Sequence, residues 1–449
     1  MDLLSLIPQL GGFFYTIITF VIALSVIVAV HEYGHYIVGR WSGIHAEVFS
    51  LGFGPVLWSG RDKRGTKWQI AALPFGGYVK FLGDADAASG KDSDAIDAVA
   101  ADPVALRRTM HGAPLWARAA TVVAGPVFNF VMSIIIFTAL ALAVGTVRDP
   151  LTVESLVPVP GVENTLRPGD ELLAVAGVPI PDRDDSAGWK AFTDQLPVRP
   201  ELDYLVRRDG AEQVVTDTYF SPAYVSSVMP GSAAADAGIQ SGDFITALNE
   251  KPVFAFRQLV DMVAETEGQP LDLVLMRAGQ PVEVTLSPRH VDMPQADGGF
   301  TSRWLIGITG GSLIDYATER TGFGAALVVG TGQVWAVVSS SVSGLSHMIT
   351  GAISTCNLSG PIGIAKASGD TASQGAVSFI RFIAVLSTAV GLLNLFPIPA
   401  LDGGHLVFYA YEAVVGRPPN DRAVQILMSI GIAMILSLMV FALGNDIFC

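Results

Sequence analysis

FFYTIITFVIALSVIVAV, residues 13–30, runs for 18 residues without a charged side chain, and His31-Glu32-Tyr33-Gly34-His35 follows at once. A hydrocarbon core of roughly 30 Å takes about 20 apolar helical residues to cross, so this run begins a membrane span. Positions i and i+4 share one face of a helix, so His31 and His35 can hold a single metal ion. Glu32 stands beside them as a group able to take a proton from water. An H-E-x-x-H pattern is only moderately specific in a soluble chain. Here it ends an apolar span, where a charge costs on the order of 2.5–3.5 kcal/mol at the helix centre. Three ionisable groups at that place call for a function, and a polar cap at the membrane surface is the weaker explanation.

A catalytic zinc needs a third protein ligand and an open position. The extended metzincin pattern would place Gly and His where this chain has Val38 and Trp41, so the third ligand must come from elsewhere. Asp402 is the candidate. It follows the uncharged residues 382–401, in NLFPIPALDGG, residues 394–404. Pro397 and Pro399 break a helix there, and Gly403 and Gly404 allow close backbone approach. An Asp at membrane depth beside irregular backbone is a functional signal rather than a cap facing water.

The rest of the chain agrees with a membrane setting. Of its 449 residues, 51% are apolar and 15% charged, against about 25% charged in soluble domains. The net charge of -14 argues against a nucleic-acid partner. Cys356 and Cys449 alone exclude a disulfide framework and a cysteine-based zinc cluster. The first ten residues hold Asp2 and no Lys or Arg, so no cleavable signal is expected. Residues 119–147 and 423–444 are two more uncharged runs, which with 13–36 and 382–401 predicts four spans. Residues 323–348 are also uncharged but rich in Gly, Ser and Thr, and are expected to lie on the membrane or beside the site as an amphipathic helix. A fifth crossing there would put Asp402 a full bilayer away from His31. Arg40, Arg61, Lys63, Arg64, Lys67, Lys80, Arg107, Arg108 and Arg118 place the loop after the first span inside, and both termini outside.

The outer segment carries an internal repeat. GDELLAVAGVP, residues 169–179, aligns with GDFITALNEKP, residues 242–252. Each copy leads to a hairpin signal, Arg208-Asp209-Gly210 and Arg277-Ala278-Gly279, with alternating strands around it. PGSAAADAGIQSGD, residues 230–243, resembles a PDZ domain, and LRPGD, residues 166–170, resembles one less closely. Such domains bind extended peptides by adding a strand to a sheet edge, although a spacer role is the bland alternative. Residues 84–102 are rich in Ala and Asp and read as a solvated linker.

The paired motifs with PDZ-like modules between them resemble the site-2 protease family of intramembrane zinc metalloproteases, in its bacterial branch of sigma-E regulators with two PDZ domains. Further matches are Gly125-Pro126-Val127-Phe128-Asn129, Gly52-Phe53-Gly54-Pro55 with residues 73–80 as a re-entrant β-hairpin, and residues 358–364. The resemblance implies that His31, His35 and Asp402 bind Zn2+, that Glu32 is the catalytic base, and that Asn394 holds substrate or the developing oxyanion. His405, close to Asp402 in sequence, is as consistent with an ordinary polar contact as with an outer partner of the ligands.

The expected fold is thus an α-helical polytopic membrane protein. It has four transmembrane helices, a membrane-associated β-hairpin and two extracytoplasmic PDZ-like α+β modules. The expected division is a first membrane part, 1–147, with hairpin 46–83 and linker 84–112. Modules 148–218 and 219–290, a following segment 291–378 and a second membrane part 379–449 complete it. The expected function is cleavage of the transmembrane segments of single-span proteins in the bilayer of a bacterial inner membrane, with the modules on the periplasmic side. The resemblance suggests a tethered anti-sigma factor or remnant signal peptides as substrate. A substrate helix must unwind before attack, and the hairpin, in particular the alternating residues 68–73, is expected to hold it by edge pairing. Peptide ligands of the modules are further expected partners. The alternatives are a non-catalytic PDZ membrane adaptor with a structural zinc, and a zinc transporter. The intact Glu32 argues against the first. The absence of ionisable residues from the second and fourth spans argues against the second.

Overall fold

The computed structural model describes residues 6–85, 92–99, 101–157, 164–182, 185–229, 231–294 and 300–448. It divides into two compact units, one made of residues 1–140, 324–349 and 358–449, the other of residues 141–323 and 350–357.

The first unit opens with α1 (Leu6–Trp41), a helix without an internal break that carries the apolar run and both histidines. β1 (Ala46–Arg61) and β2 (Lys67–Phe81) follow, then the short helices α2 (Ser93–Val99) and α3 (Pro103–Arg107) and the long α4 (Leu115–Val144). Residues 86–91 and 100 of the expected linker lie outside the described residues. Asp84 is not solvated as expected: it is 1% exposed and accepts a hydrogen bond from the Phe81 amide at 2.9 Å, closing the end of β2.

The two strands of the hairpin are each folded upon themselves. Residues 48–51 pair with 77–80 on one side and with 67–70 on the other, and residues 56–61 pair with 67–71. Of residues 68–73, expected to hold substrate by edge pairing, 68–70 are therefore an inner strand with partners on both sides. Positive φ at Gly52 and Gly54 lets β1 turn back, and a Cβ on Gly52 would fall 2.7 Å from the Leu73 carbonyl oxygen. The far end of this sheet exposes Phe53, Val56, Leu57, Trp58, Ile70 and Leu73.

In the second unit the chain runs through β3 (Thr146–Val147), β4 (Val153–Leu156), β5 (Glu171–Val175), β6 (Val178–Pro179), α5 (Ser186–Gln195), β7 (Glu201–Arg208) and β8 (Ala211–Thr218). It continues through β9 (Val225–Val228), α6 (Ala233–Asp236), β10 (Phe244–Leu248), β11 (Lys251–Pro252), α7 (Phe256–Ala264), β12 (Leu271–Arg277) and β13 (Gln280–Leu286). β14 (Arg289–Pro294), β15 (Phe300–Leu305), β16 (Ile308–Gly310), β17 (Ile314–Tyr316) and β18 (Thr318–Glu319) complete it. The repeat is visible as two sheets of the same order, β6-β5-β7-β8 and β11-β10-β12-β13. Alternation buries Leu202, Tyr204 and Val206 in one and Leu271, Leu273 and Leu275 in the other; each such side chain contributes about 1.5–3 kcal/mol. Both hairpins turn on two residues with positive φ, Asp209 and Gly210, then Ala278 and Gly279.

The modules extend beyond the expected boundaries because strands from the segment after residue 290 complete them. β16 pairs with β9 and β17 with β4. Ile306 thereby enters the core of the second module and Ile314 that of the first. The second module is inserted within the first in sequence.

Back in the first unit come α8 (Phe323–Ile349), α9 (Pro361–Ser373), α10 (Ala376–Asn394), α11 (Asp402–Val415) and α12 (Asp421–Phe448). Five helices of the described residues are long and apolar enough to cross a membrane: α1 from Gly12, α4, α8, α10 and α12. The third expected span, 382–401, starts earlier and stops at Asn394, because Pro397 and Pro399 deny the amides that would continue it. The amides of Gly360, Ile362 and Gly363, which open α9, donate to the Asp446 carboxylate in the last turn of α12.

Contacts fix the directions of the helices. Gly34 of α1 lies against Ala124 of α4, and Gly39 against Thr121, so α1 and α4 are antiparallel. Ser133 of α4 donates to the Ala384 carbonyl at 2.8 Å, and Gly391 lies against Pro126 and Asn129, so α4 and α10 are antiparallel too.

Candidate metal centre

α1 presents His31 and His35 one turn apart toward α4. The approach is possible because α4 has Gly125 there: a Cβ would stand 2.3 Å from His35 Nε2 and 2.8 Å from His31 Cε1. Pro126 then removes the amide that the Val122 carbonyl would use, which loosens α4 at this point. The neighbouring Thr121 carbonyl accepts from His35 Nδ1 at 2.9 Å. His35 Nε2 is thereby left with its lone pair toward Asp402.

Asp402 is the first residue of α11 and arrives from the broken segment 395–401. A Cβ on Gly403 or Gly404 would collide with the backbone carbonyls of Phe396 or Ile398, so both glycines are needed for the turn to close. At the other end of α11, Glu412 accepts two hydrogen bonds from Arg118 of α4, at 2.6 and 2.9 Å, and the Arg118 guanidinium lies 5.2 Å from the Tyr409 ring centre. The far end of α11 is thus tied to the base of α4.

The three side chains meet. Asp402 Oδ2 is 3.2 Å from His31 Nε2 and 3.5 Å from His35 Nε2, and the two Nε2 atoms are 3.1 Å apart. A tetrahedral zinc with bonds of roughly 2.0–2.1 Å holds its ligand atoms about 3.3 Å apart, so this set fits one ion without rearrangement. Asp402 Oδ2 is buried and has no hydrogen-bond partner, a costly state that a cation relieves. Among the described residues this is the one cluster of at least three such groups.

A cavity of about 500 Å³ opens beside the cluster. Glu32 lines it, close to the Val79 backbone amide. Gly77, Tyr78 and Val79 of β2 form one wall, and Met428, Ile432, Ile435 and Leu436 of α12 contribute apolar surface. His111 and His405 also line it. Asn394 does not; its amide Nδ2 donates to the Val390 carbonyl of its own helix at 3.0 Å. Sequence reasoning missed three contacts of the cluster: the Thr121 carbonyl on His35, the Val79 amide on Glu32, and Asn129, whose Nδ2 lies 3.2 Å from His31 Nδ1. Two of them lay in matched motifs, Asn129 as the last residue of Gly125-Pro126-Val127-Phe128-Asn129 and Val79 within residues 73–80.

Curated relatives cover nearly the whole chain. A protein of Agrobacterium fabrum named as a zinc metalloprotease is 35% identical over 437 residues, 96% of this chain and 95% of its own length. One of Rhizobium meliloti, named likewise, is 35% identical over 435 residues, 96% of each chain. The regulator of sigma-E protease of Escherichia coli is 33% identical over 462 residues, 97% of this chain and 99% of its own length. The sequence profile of peptidase family M50 matches residues 19–438. With so little of the chain outside that match, this protein belongs to peptidase family M50 and is a zinc metalloendopeptidase of the membrane.

Proposed function

We propose that the chain cleaves the transmembrane segments of single-span membrane proteins, with His31, His35 and Asp402 holding the zinc and Glu32 acting as base. The observation that carries this reading is the meeting of the three ligand atoms on the wall of a cavity that Glu32 and the apolar face of α12 share. Bound there, zinc supplies the positive charge that polarises a peptide carbonyl and acidifies water. Glu32 takes the proton of the attacking water and returns it to the leaving amine. The Val79 amide orients the Glu32 carboxylate for that exchange. Gly77, Tyr78 and Val79 offer the unwound substrate an extended partner beside Glu32, in place of the inner strand 68–70. Asn394 holds substrate or the developing oxyanion after its amide turns away from Val390. A purely structural zinc is disfavoured, because structural sites are closed by four protein ligands and this set has three beside a cavity.

Helix directions support four crossings. α4 leaves the membrane on the face where α1 enters, and α10 starts from that same face. The chain between them must cross an even number of times. α8 could cross only if α9 crossed back, and α9 has 13 residues, about 20 Å of helix against a core of roughly 30 Å. The basic residues after α1 put its histidine end inside, so the β modules lie on the periplasmic face of a bacterial inner membrane. There they either exclude substrates with bulky ectodomains by size or capture peptides by strand addition. A tethered anti-sigma factor and remnant signal peptides are the substrate classes that fit.

The test compares membrane-protein fragments in cells carrying the native chain or Glu32→Gln. Tail-trimmed single-span proteins accumulate in the variant; identical fragment sets contradict the reading. Deleting residues 148–317, which removes both modules with the strands that complete them, relaxes discrimination against full-length substrate if the modules exclude by size, and lowers cleavage of trimmed substrate if they capture peptides. An unchanged ratio removes both roles. Reporter fusions after Lys80 and Arg417 read inside and one within residues 350–357 reads outside; an outside signal at Arg417 contradicts the four-span count.

A further inference from the structure

We propose that Asn129 is a positioning residue for the zinc site: its side-chain carbonyl accepts the His31 Nδ1 proton and so leaves His31 Nε2 free to bind the metal. The inference rests on the assignment of His31 as a ligand.

Asn129 is fully buried in the middle of α4, a place where an amide side chain is costly without partners. It faces His31, with Nδ2 3.2 Å from His31 Nδ1, while its Oδ1 is buried without any partner. In that orientation Nδ1 would have to be the acceptor, and the imidazole proton would sit on Nε2, between Asp402 and His35. A half-turn of the amide exchanges its oxygen and nitrogen with little change in shape. Oδ1 then accepts from Nδ1–H, and the Nε2 lone pair points at Asp402 Oδ2 and His35 Nε2. This is the arrangement that the Thr121 carbonyl gives His35, so both ligands would be fixed in the same tautomer by acceptors from α4.

The backbone around Asn129 is held as a positioning role requires. Its own carbonyl accepts from Ser133 Oγ at 2.9 Å and from Ser387 Oγ at 3.1 Å, and Ser133 Oγ also reaches the Ala384 carbonyl of α10. A Cβ on Gly391 would lie 3.2 Å from the Asn129 Cβ, so α10 closes directly on this residue. α10 thereby braces the group that orients His31.

The test is zinc affinity, measured by chelator competition on the purified full chain in detergent, for the native protein, Asn129→Leu, Asn129→Asp and His31→Ala. Leu keeps the volume and removes the acceptor; Asp keeps the acceptor. Asn129→Leu is expected to bind zinc about 10–100-fold more weakly, and Asn129→Asp at least as tightly as the native chain. Native affinity in Asn129→Leu, or an equal loss in Leu and Asp, overturns the proposal. Should Asn129→Leu fail to fold, Asn129→Asp decides alone: retained affinity supports the role and a tenfold loss overturns it. His31→Ala separates the two levels of the argument. If it binds zinc like the native protein, the site assignment fails; if it loses zinc while Asn129→Leu does not, only the role of Asn129 fails.

Discussion

Gly125 of α4 leaves no room for a side chain beside His35: a Cβ there would lie 2.3 Å from Nε2, the nitrogen that faces Asp402. The proposed metal site is therefore shaped by an absence of atoms on the neighbouring helix as much as by the three side chains that meet there. Gly125→Ala is expected to push both imidazoles off their positions while α4 still forms, since Ala favours a helix over Gly by about 1 kcal/mol. A displacement of roughly 1 Å at a reacting centre costs on the order of 10²-fold in rate. Cleavage of a model single-span substrate should fall by about that factor in Gly125→Ala, with helix content unchanged by circular dichroism.

The Arg118–Glu412 pair ties the far end of α11 to the base of α4, with side chains only 12% and 16% exposed. Removing one partner leaves the other charge buried, at a cost of about 3–5 kcal/mol. Glu412→Ala should therefore unfold at clearly lower temperature than native protein in the same detergent. Replacing both by apolar residues of similar volume should recover much of that loss. Equal melting of the single and double variants would show that the pair is screened.

In the β modules, the Asp of each repeated Gly-Asp is held by the Arg that ends a later strand: Asp170 by Arg208 and Asp243 by Arg277, each through two bonds of 2.6–2.7 Å. Burial works against the Asp170 charge, but the Arg208 hydrogen bonds and the Arg167 amide outweigh it and hold the carboxyl below the usual carboxylate range. The stabilisation is fully present above the unfolded-state value of about 3.9 and is lost as pH falls through the folded one. Limited proteolysis across a pH series should show the first module of native protein opening only in strong acid. Asp170→Asn should weaken that module already at neutral pH and flatten its dependence on acid.

The three residues proposed as ligands stand out in the sequence because each breaks a local rule: His31 and His35 close an apolar run, and Asp402 follows two prolines inside one. The repeat was legible because Gly169-Asp170 and Gly242-Asp243 recur in similar surroundings, and the fold gives the reason in Arg208 and Arg277. What was not legible depends on long-range pairing. Alternation in residues 68–73 is the same for an inner strand as for an edge, so the doubled sheet could not be inferred. Nothing in the sequence of Ile314 announces that it returns to a module begun about 160 residues earlier. The end of α10 at Asn394 was misjudged because an uncharged run continues past it, and hydropathy does not register the loss of amides at Pro397 and Pro399. Asn129 stood in a recognised motif, yet its relation to His31 is visible only once α1 and α4 are side by side.

The most direct test of the zinc site is metal content and cleavage measured together on purified native protein, Glu32→Gln and Asp402→Ala. The account predicts about one zinc per native chain with cleavage, zinc retained without cleavage in Glu32→Gln, and loss of both in Asp402→Ala. Full zinc occupancy in Asp402→Ala, or cleavage surviving in Glu32→Gln, would contradict it.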